Sequence, residues 1–382
     1  GHDVAEPAVV AVEDDEAVLV DQVEVHGGAQ RRHARGVPGD GHGDDADVGA
    51  PEQDADEDLV GRELERMGGE RELGYFLHIP FPAPEVFTSL PQHQRLARGL
   101  CSYDLVGFQT ERDTASFKRY LVENCGGEVL DDGRISAFDR ILRTETFSIG
   151  VDPDDLAELS VGEEALAAAK RLGRIIDQRA LVIGVDRMDY SKGLPERFEA
   201  VGRLFDDYPE THGTVSVTQI APPSRSKVEE YKELRQTLDR LAGRINGDYG
   251  DLDWIPLRYL ARSYEREELA GLFRIARVGL VTPLRDGMNL VCKEFIMAQD
   301  EADPGVLILS EFAGAAEQLK SALLVNPHDT GKLAEVIHHG LTMPLEERQE
   351  RWRALRKIVM EQDIAWWRQN FLKDLDALQA SS

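Results

Sequence analysis

Short apolar runs alternate with amphipathic stretches along the chain from Gly74 onward. The runs GYFLHIPF, DLVGFQT, TFSIGV, ALVIGVDRMDY, GTVSVTQIA, RVGLVTPL, GVLILSEF and SALLVNP read as buried strands, as does LDWIPLRYL. Between and after them, PQHQRLARGL, ERDTASFKRYLVENC, ERFEAVGRLF, REELAGLFRIA, NLVCKEFIMAQ, HDTGKLAEVIHHGL and MPLEERQERWRALRKIV read as helices. DPDDLAEL opens another helix with acids in its first turn. Val228, Tyr231, Leu234, Leu238, Leu241 and Ile245 step by three or four, which predicts an amphipathic helix of about 20 residues. DIAWWRQNFLKDLDAL closes the chain as one more helix, with paired aromatics. Strand–helix alternation of this kind predicts an α/β protein with a doubly wound parallel sheet, residues 150–350 forming one complete unit.

Residues 1–72 break the pattern. They contain no Ser, Thr, Asn, Lys, Ile, Phe, Tyr, Trp or Cys, and Val is their only β-branched type, in PAVVAV and AVLVDQVEV. Their 21 acids stand against 6 arginines, a net of −15 out of −27 for the whole chain. A stretch so poor in burial anchors cannot offset its ordering entropy, so it is expected to be disordered. Two readings stay open: an acidic tail, or the wrong-frame or wrong-strand translation of a GC-rich gene, whose vocabulary is this one.

Composition narrows the class. With 382 residues, 42% of them hydrophobic, the chain has material for more than one domain. A charge of −27 argues against nucleic acid or an anionic membrane as partner. No apolar run approaches the roughly 18 residues of a membrane span, and the first residues lack the basic and apolar regions of a signal peptide. Three cysteines without CxxC spacing (Cys101, Cys125, Cys292) favour a reducing, cytoplasmic setting and no structural metal. Arg far outnumbers Lys, and the acidity extends past residue 72; both suit a high-salt cytoplasm or simply a GC-rich genome.

Two loops carry unusual chemistry. In doubly wound sheets, ligands bind outside the carboxyl ends of the strands. The loop Asp186–Pro195 leaves a strand, places Arg187 and Lys192 five residues apart, turns at Gly193 and enters a helix at Pro195. Two cations beside a helix start suit a diphosphate, although either alone would be an ordinary surface residue. The loop Pro283–Glu294 also leaves a strand and enters a helix near Asn289. Its amides can take an anion, Asp286 can hold sugar hydroxyls, and Glu294 can accept from a ribose. Each alone is an ordinary capped loop; two on consecutive strand ends of one domain make a much stronger case for a ligand site.

The words GYFLHIPFPAPEVFTSLP, DLVGFQTERD, VDRMDYSKGLPERFEA, PPSR, GRINGDYGDLDWIPLRYL, TPLRDGMNLVCKEF and ILSEFAGAAEQL resemble, in order, those of the trehalose-6-phosphate synthases, over about residues 73–382. The resemblance implies a retaining glycosyltransferase of family 20 with the GT-B fold: two Rossmann-like doubly wound domains facing a cleft, the first one incomplete here. It divides the chain into residues 1–72, a remnant of the acceptor-side domain (73–150), a donor domain (151–350) and helices crossing back to the first domain (351–382). It implies Arg187 and Lys192 on the diphosphate of UDP-glucose or GDP-glucose, Leu290 and Val291 amides on the phosphates, and Glu294 on the ribose. Asp286, Gly287, Met288 and Asn289 would grip the donor glucose, Tyr264 would meet the base through its backbone, and His78 would reach the sugar across the cleft. Arg225 would hold the phosphate of glucose 6-phosphate. Without the resemblance, His78 reads more naturally as a satisfied histidine on a buried strand. The family implies no metal, no cofactor beyond the substrates, and room for a homo-oligomer.

The family's motifs that precede FLHIPFP are not recognisable in residues 1–72. That puts turnover in question, and residues 73–150 are expected to expose apolar surface. It leaves two further readings: a related transferase such as a glucosylglycerol-phosphate synthase, or an inactive nucleotide-binding fragment or regulatory paralogue.

Overall fold

The computed structural model of the protein describes residues 8–13, 16–20, 72–223 and 229–379. Two sheets organise it. The first contains β1 (Ala8–Glu13), β2 (Glu16–Val20), β3 (Leu73–Leu77), β4 (Leu105–Phe108), β5 (Glu128–Val129), β6 (Ile135–Ala137) and β7 (Arg140–Thr146), in the order β2-β1-β3-β4-β7-β6-β5. Strands β1, β3, β4 and β7 are mutually parallel; β2, β6 and β5 add antiparallel margins. Helices α1 (Pro84–Phe87), α2 (His93–Leu100) and α3 (Glu111–Cys125) connect them. Helix α3 starts where the Thr110 hydroxyl accepts from the Asp113 amide at 3.1 Å, and it stops at Gly126, which takes a left-handed φ of 67°.

Two sequence expectations change here. The valine-rich runs at 8–13 and 16–20 are strands, so disorder does not hold for them; residues 21–71 lie outside the described residues. The strand expected at TFSIGV lies earlier, at Arg140–Thr146, and ends where the apolar run begins. The reason is exposure: β7 is an alternating, half-covered strand, whereas Phe147, Ile149 and Val151 are buried as the connection between the sheets.

The second sheet contains β8 (Ala180–Val185), β9 (Val215–Ile220), β10 (Leu257–Leu260), β11 (Val278–Val281), β12 (Val306–Ser310) and β13 (Leu323–Val325). All are parallel, in the order β10-β9-β8-β11-β12-β13. That is the Rossmann order, with its switch point between β8 and β11. Helices α4 (Pro153–Leu159), α5 (Glu163–Ile176), α6 (Leu194–Asp207), α7 (Glu229–Tyr249), α8 (Arg266–Arg274), α9 (Val291–Ala298) and α10 (Thr330–Thr342) belong to it. The expected long amphipathic helix is α7.

The two sheets share a core. One apolar cluster joins Phe76, Leu105, Phe147 and Ile149 to Leu181, Val281, Met288, Phe295 and Leu309 of the second sheet. Separate clusters fill the outer faces, around Phe198, Phe205 and Ile337 on the second sheet and around Phe81, Phe108 and Phe117 on the first. On the first sheet's side Ile79, Val86, Leu90, Leu96 and Val122 stay exposed, as expected for residues 73–150.

Helix α11 (Leu345–Glu361) stays with the second sheet: the Trp352 indole donates to the Ile296 carbonyl at 2.9 Å. The crossing falls at Gln362–Asp363, later than the expected boundary at 351. Helix α12 (Ile364–Gln379) then lies on β3 and β4. Side chains at Gly74 and Gly107 would collide with Phe371, so both positions exclude a Cβ. Phe371 also packs on Phe147 at 5.0 Å between ring centres, Trp367 stands edge-on to Phe76 at 5.0 Å, and Arg143 pairs with Asp374 at 3.3 Å. Phe371→Ala empties a buried ring from this seam and is expected to cost about 3–5 kcal/mol. Urea unfolding checks this; a midpoint within error of wild type contradicts the packing role.

Candidate active site at the cleft

The switch point brings the two sequence-predicted loops together. Strands β8 and β11 are sheet neighbours although β9 and β10 separate them in sequence. After β8 the chain makes a short turn at Tyr190–Lys192, capped by the Asp189 carboxylate, which accepts from the Ser191 amide at 2.8 Å and its hydroxyl at 2.7 Å. Burial pulls the Asp189 carboxyl upward, yet these bonds and the Tyr231 hydroxyl hold it below its ordinary range. Gly193 follows at φ 65°, with the Thr282 carbonyl 2.5 Å from where a Cβ would stand. The Ser191 carbonyl then accepts from the Leu284 amide at 2.7 Å, which ties the first loop to the second.

Beneath them lies a buried polar knot that sequence reasoning missed. Arg197 on α6 is almost completely buried. It donates to Asp186 at 2.5 Å, Gln219 at 2.8 Å and Thr282 at 2.9 Å, so it links the ends of β8, β9 and β11. Burial raises the Asp186 carboxyl, against the pull of Arg197. In the sequence Arg197 lies inside a helix next to Glu196 and gives no sign of its partners.

The second loop is pressed between two segments. A side chain at Gly287 would overlap the His78 carbonyl oxygen at the end of β3, and one at Gly314 would overlap the Gly287 carbonyl. The Asp286 amide donates to the Phe312 carbonyl at 3.2 Å, and the Ala315 amide to Met288 at 3.1 Å. Three more bonds tie the sheets: Arg285 to the Phe81 carbonyl at 2.8 Å, Lys293 to the Ile149 carbonyl at 2.6 Å, and the Glu111 amide to Glu317 at 3.1 Å.

A cavity of about 340 Å³ opens where these segments meet. His78, Arg187, Lys192, Asp286, Met288, Asn289, Leu290, Val291 and Glu294 all line it, and Gly287 forms its seam with His78. Gln109, Ile149 and Asp186 line it too, and sequence reasoning missed them. Gln109 is fixed by accepting from the Ile149 amide at 3.1 Å, a partner 40 residues away. Tyr264 lies elsewhere, in a second cavity beside β10. Arg225 lies outside the described residues.

The charges are arranged in a specific way. Lys192 and Asp286 form an ion pair at 2.7 Å, and Asn289 donates to the same carboxylate oxygen at 2.9 Å. The expected phosphate cation and the expected sugar-orienting acid are therefore partners in this state. The Asn289 side-chain oxygen is buried without a hydrogen-bond partner, on a residue with φ 70°. The Glu294 carboxyl is raised by burial, with Arg266 opposing, and has no hydrogen-bond or ion-pair partner among the described residues. The first amides of α9 have no intrahelical acceptor and carry the positive end of the helix dipole. One wall of the cavity is thus cationic, and another offers unpaired acceptors. Among the described residues no cluster of three His, Cys, Asp or Glu side chains forms that could hold a metal.

A Rossmann sheet facing a second, mostly parallel α/β sheet, with a polar cavity at its switch point, is the arrangement of the GT-B class of glycosyltransferases. The profile of glycosyltransferase family 20 matches residues 59–377, and the chain belongs to that family. It is 47% identical over 315 residues to the trehalose-6-phosphate synthase of Sinorhizobium fredii, covering 82% of this chain and 68% of that protein. With the Enterobacter enzyme of the same name the identity is 47% over 313 residues, covering 82% and 66%. The chain therefore spans about two thirds of the length of these relatives. A solved α,α-trehalose-phosphate synthase (UDP-forming) from Burkholderia xenovorans, in complex with glucose-6-phosphate, superposes with a TM-score of 0.82 at 45% identity, over 84% of this chain and 71% of that one. An E. coli structure bound with UDP-2-fluoro glucose gives 0.80 at 44%, over 82% and 70%.

Lys293, whose Nζ crosses to Ile149, makes the seam sensitive to pH. Burial lowers its ammonium from 10.5 to about 8, with Cys292 opposing. Between those values the unfolded chain holds a proton that the folded chain has released, so this group's contribution to stability rises with pH across the window. Unfolding of wild type and Lys293→Met at pH 8 to 10.5 should show wild type gaining relative to the variant; a constant difference contradicts this.

Proposed function

We propose that the chain transfers glucose from UDP-glucose to glucose 6-phosphate with retention, giving α,α-trehalose 6-phosphate and UDP. One observation carries this reading: the cationic first loop, the α9 start, Glu294 and His78 meet at a single cavity across the sheet switch point. The relatives' names supply the substrates, and the bound UDP-2-fluoro glucose of the E. coli structure favours UDP over GDP.

The chemistry follows from charge. The acceptor's C1 hydroxyl attacks the anomeric carbon from the face the diphosphate leaves. As the C1–O bond to phosphate breaks, the departing phosphate oxygen takes the hydroxyl proton. Negative charge grows on UDP, where Arg187, Lys192 and the Leu290 and Val291 amides meet it. Diphosphate binding would draw Lys192 from Asp286, freeing that carboxylate for the sugar hydroxyls. The unpartnered Asn289 oxygen would accept another hydroxyl. Glu294 would hold the ribose, Gly287 and Met288 would shape the sugar wall, His78 would contact the sugar from the first sheet, and Arg225 would take the acceptor phosphate. Tyr264 would meet the base from the segment after β10. No cofactor beyond the two substrates enters this scheme. All three cysteines are free thiols, which supports a cytoplasmic site of action. No helix among the described residues is long and apolar enough to cross a membrane.

Mass spectrometry of the chain incubated with UDP-glucose and glucose 6-phosphate, at low and at molar salt, should show a disaccharide phosphate. Lys192→Ala should lower kcat by about 10²–10³-fold. Product only with glycerol 3-phosphate as acceptor would favour the glucosylglycerol-phosphate reading. UDP binding without any product would favour an inactive nucleotide-binding chain.

A further inference from the structure

A second cavity, of about 610 Å³, lies along the edge strand β10, bounded by α5 and α7. Leu172, Ile175 and Leu272 give it apolar walls. Three other lining residues each carry a buried polar atom with no hydrogen-bond partner: Thr218 Oγ1, Arg258 Nε and the Tyr259 hydroxyl. Thr218 and Arg258 are direct cross-strand partners on β9 and β10, so their side chains share one face of the sheet.

Arg258 is the unusual member. It is half-buried, and among the described residues its guanidinium has no ion-pair or hydrogen-bond partner. Burial weakens its hold on the proton, and the neighbouring Arg179 adds to that. Three of the nearby charged residues have ion-pair partners, while Arg262 stacks on the Tyr264 ring at 4.5 Å. Arg171 pairs with Glu268 at 2.7 Å, Arg179 with Asp253 at 3.5 Å, and Asp239 with Arg235 at 3.9 Å. A partly desolvated cation without a counter-ion raises the free energy of the fold, and a bound anion would remove that cost. A cavity with apolar walls, an unpaired half-buried guanidinium at Arg258 and an unpaired Thr218 hydroxyl on the same face matches the make-up of a small-molecule site; the exposed Arg262, stacked on Tyr264, adds a second cation at its rim.

We propose that this cavity binds a small amphipathic monoanion, its flat apolar body against Leu172, Ile175 and Leu272 and its anionic head on Arg258 and the Thr218 hydroxyl. The cavity shares no lining residue with the one at the switch point, but Tyr264, which the proposed function places on the base, stands in its wall, so competition with UDP is the decisive control.

The probe is 1-naphthalenesulfonate, titrated calorimetrically into the full chain with and without saturating UDP. One saturable site, unaffected by UDP, is expected. Arg258→Met should weaken binding at least about tenfold, as loss of a charged hydrogen bond does. Its unfolding midpoint should stay at or above that of wild type, because the variant removes an unpaired buried charge. Ile175→Trp, at the half-exposed mouth, should weaken binding similarly by filling the entrance. Displacement of the probe by UDP, no saturation at millimolar probe, or unchanged binding in Arg258→Met would each overturn the proposal.

Discussion

The cleft depends on a backbone contact that only glycine allows. The His78 carbonyl at the end of β3, Gly287 in the loop after β11 and Gly314 beyond β12 stack so closely that a single Cβ would push them apart. This contact places the first sheet's strand end against the loop that carries Asp286 and Asn289. It also lets Arg285 reach the Phe81 carbonyl and brings Lys293 to Ile149. Without it the two sheets would still share apolar surface, but His78 and the polar loop would not face one cavity.

The Rossmann order of the second sheet supplies the other half of the arrangement. Because β8 and β11 are neighbours at the switch point, their two loops meet, and the Ser191 carbonyl locks one to the other. The buried Arg197 knot holds the strand ends beneath them. A guanidinium spends its fork of donors on Asp186, Gln219 and Thr282, one from each of three adjacent strands, and so fixes their relative height. The terminal helix α12 performs a similar service for the first sheet, where Phe371 occupies the space left by Gly74 and Gly107.

Local pattern made much of this legible. The strand and helix rhythm from residue 74, the cation pair at 187 and 192, and the Gly-flanked acid at 286 are all signals within one loop or element, where period and turn chemistry decide. What escaped depends on partners distant in sequence. Gln109 lines the cleft because it meets Ile149, and Arg197 matters because three strands converge on it. The pairing of Lys192 with Asp286 spans 94 residues. The strand misplaced at TFSIGV shows the same limit: its apolar run is buried by the contact between the sheets and α12, not by strand pairing. The valine runs before residue 21 lacked aromatic anchors, yet β1 gains a ready parallel edge in β3.

A crystal structure of the chain with UDP-glucose tests the central claim most directly. The diphosphate should lie between Arg187, Lys192 and the first amides of α9, the ribose on Glu294, and the glucose within hydrogen-bond reach of Asp286 with Lys192 turned away from it. A diphosphate bound elsewhere, or a glucose seated away from the Gly287–His78 seam, would contradict it.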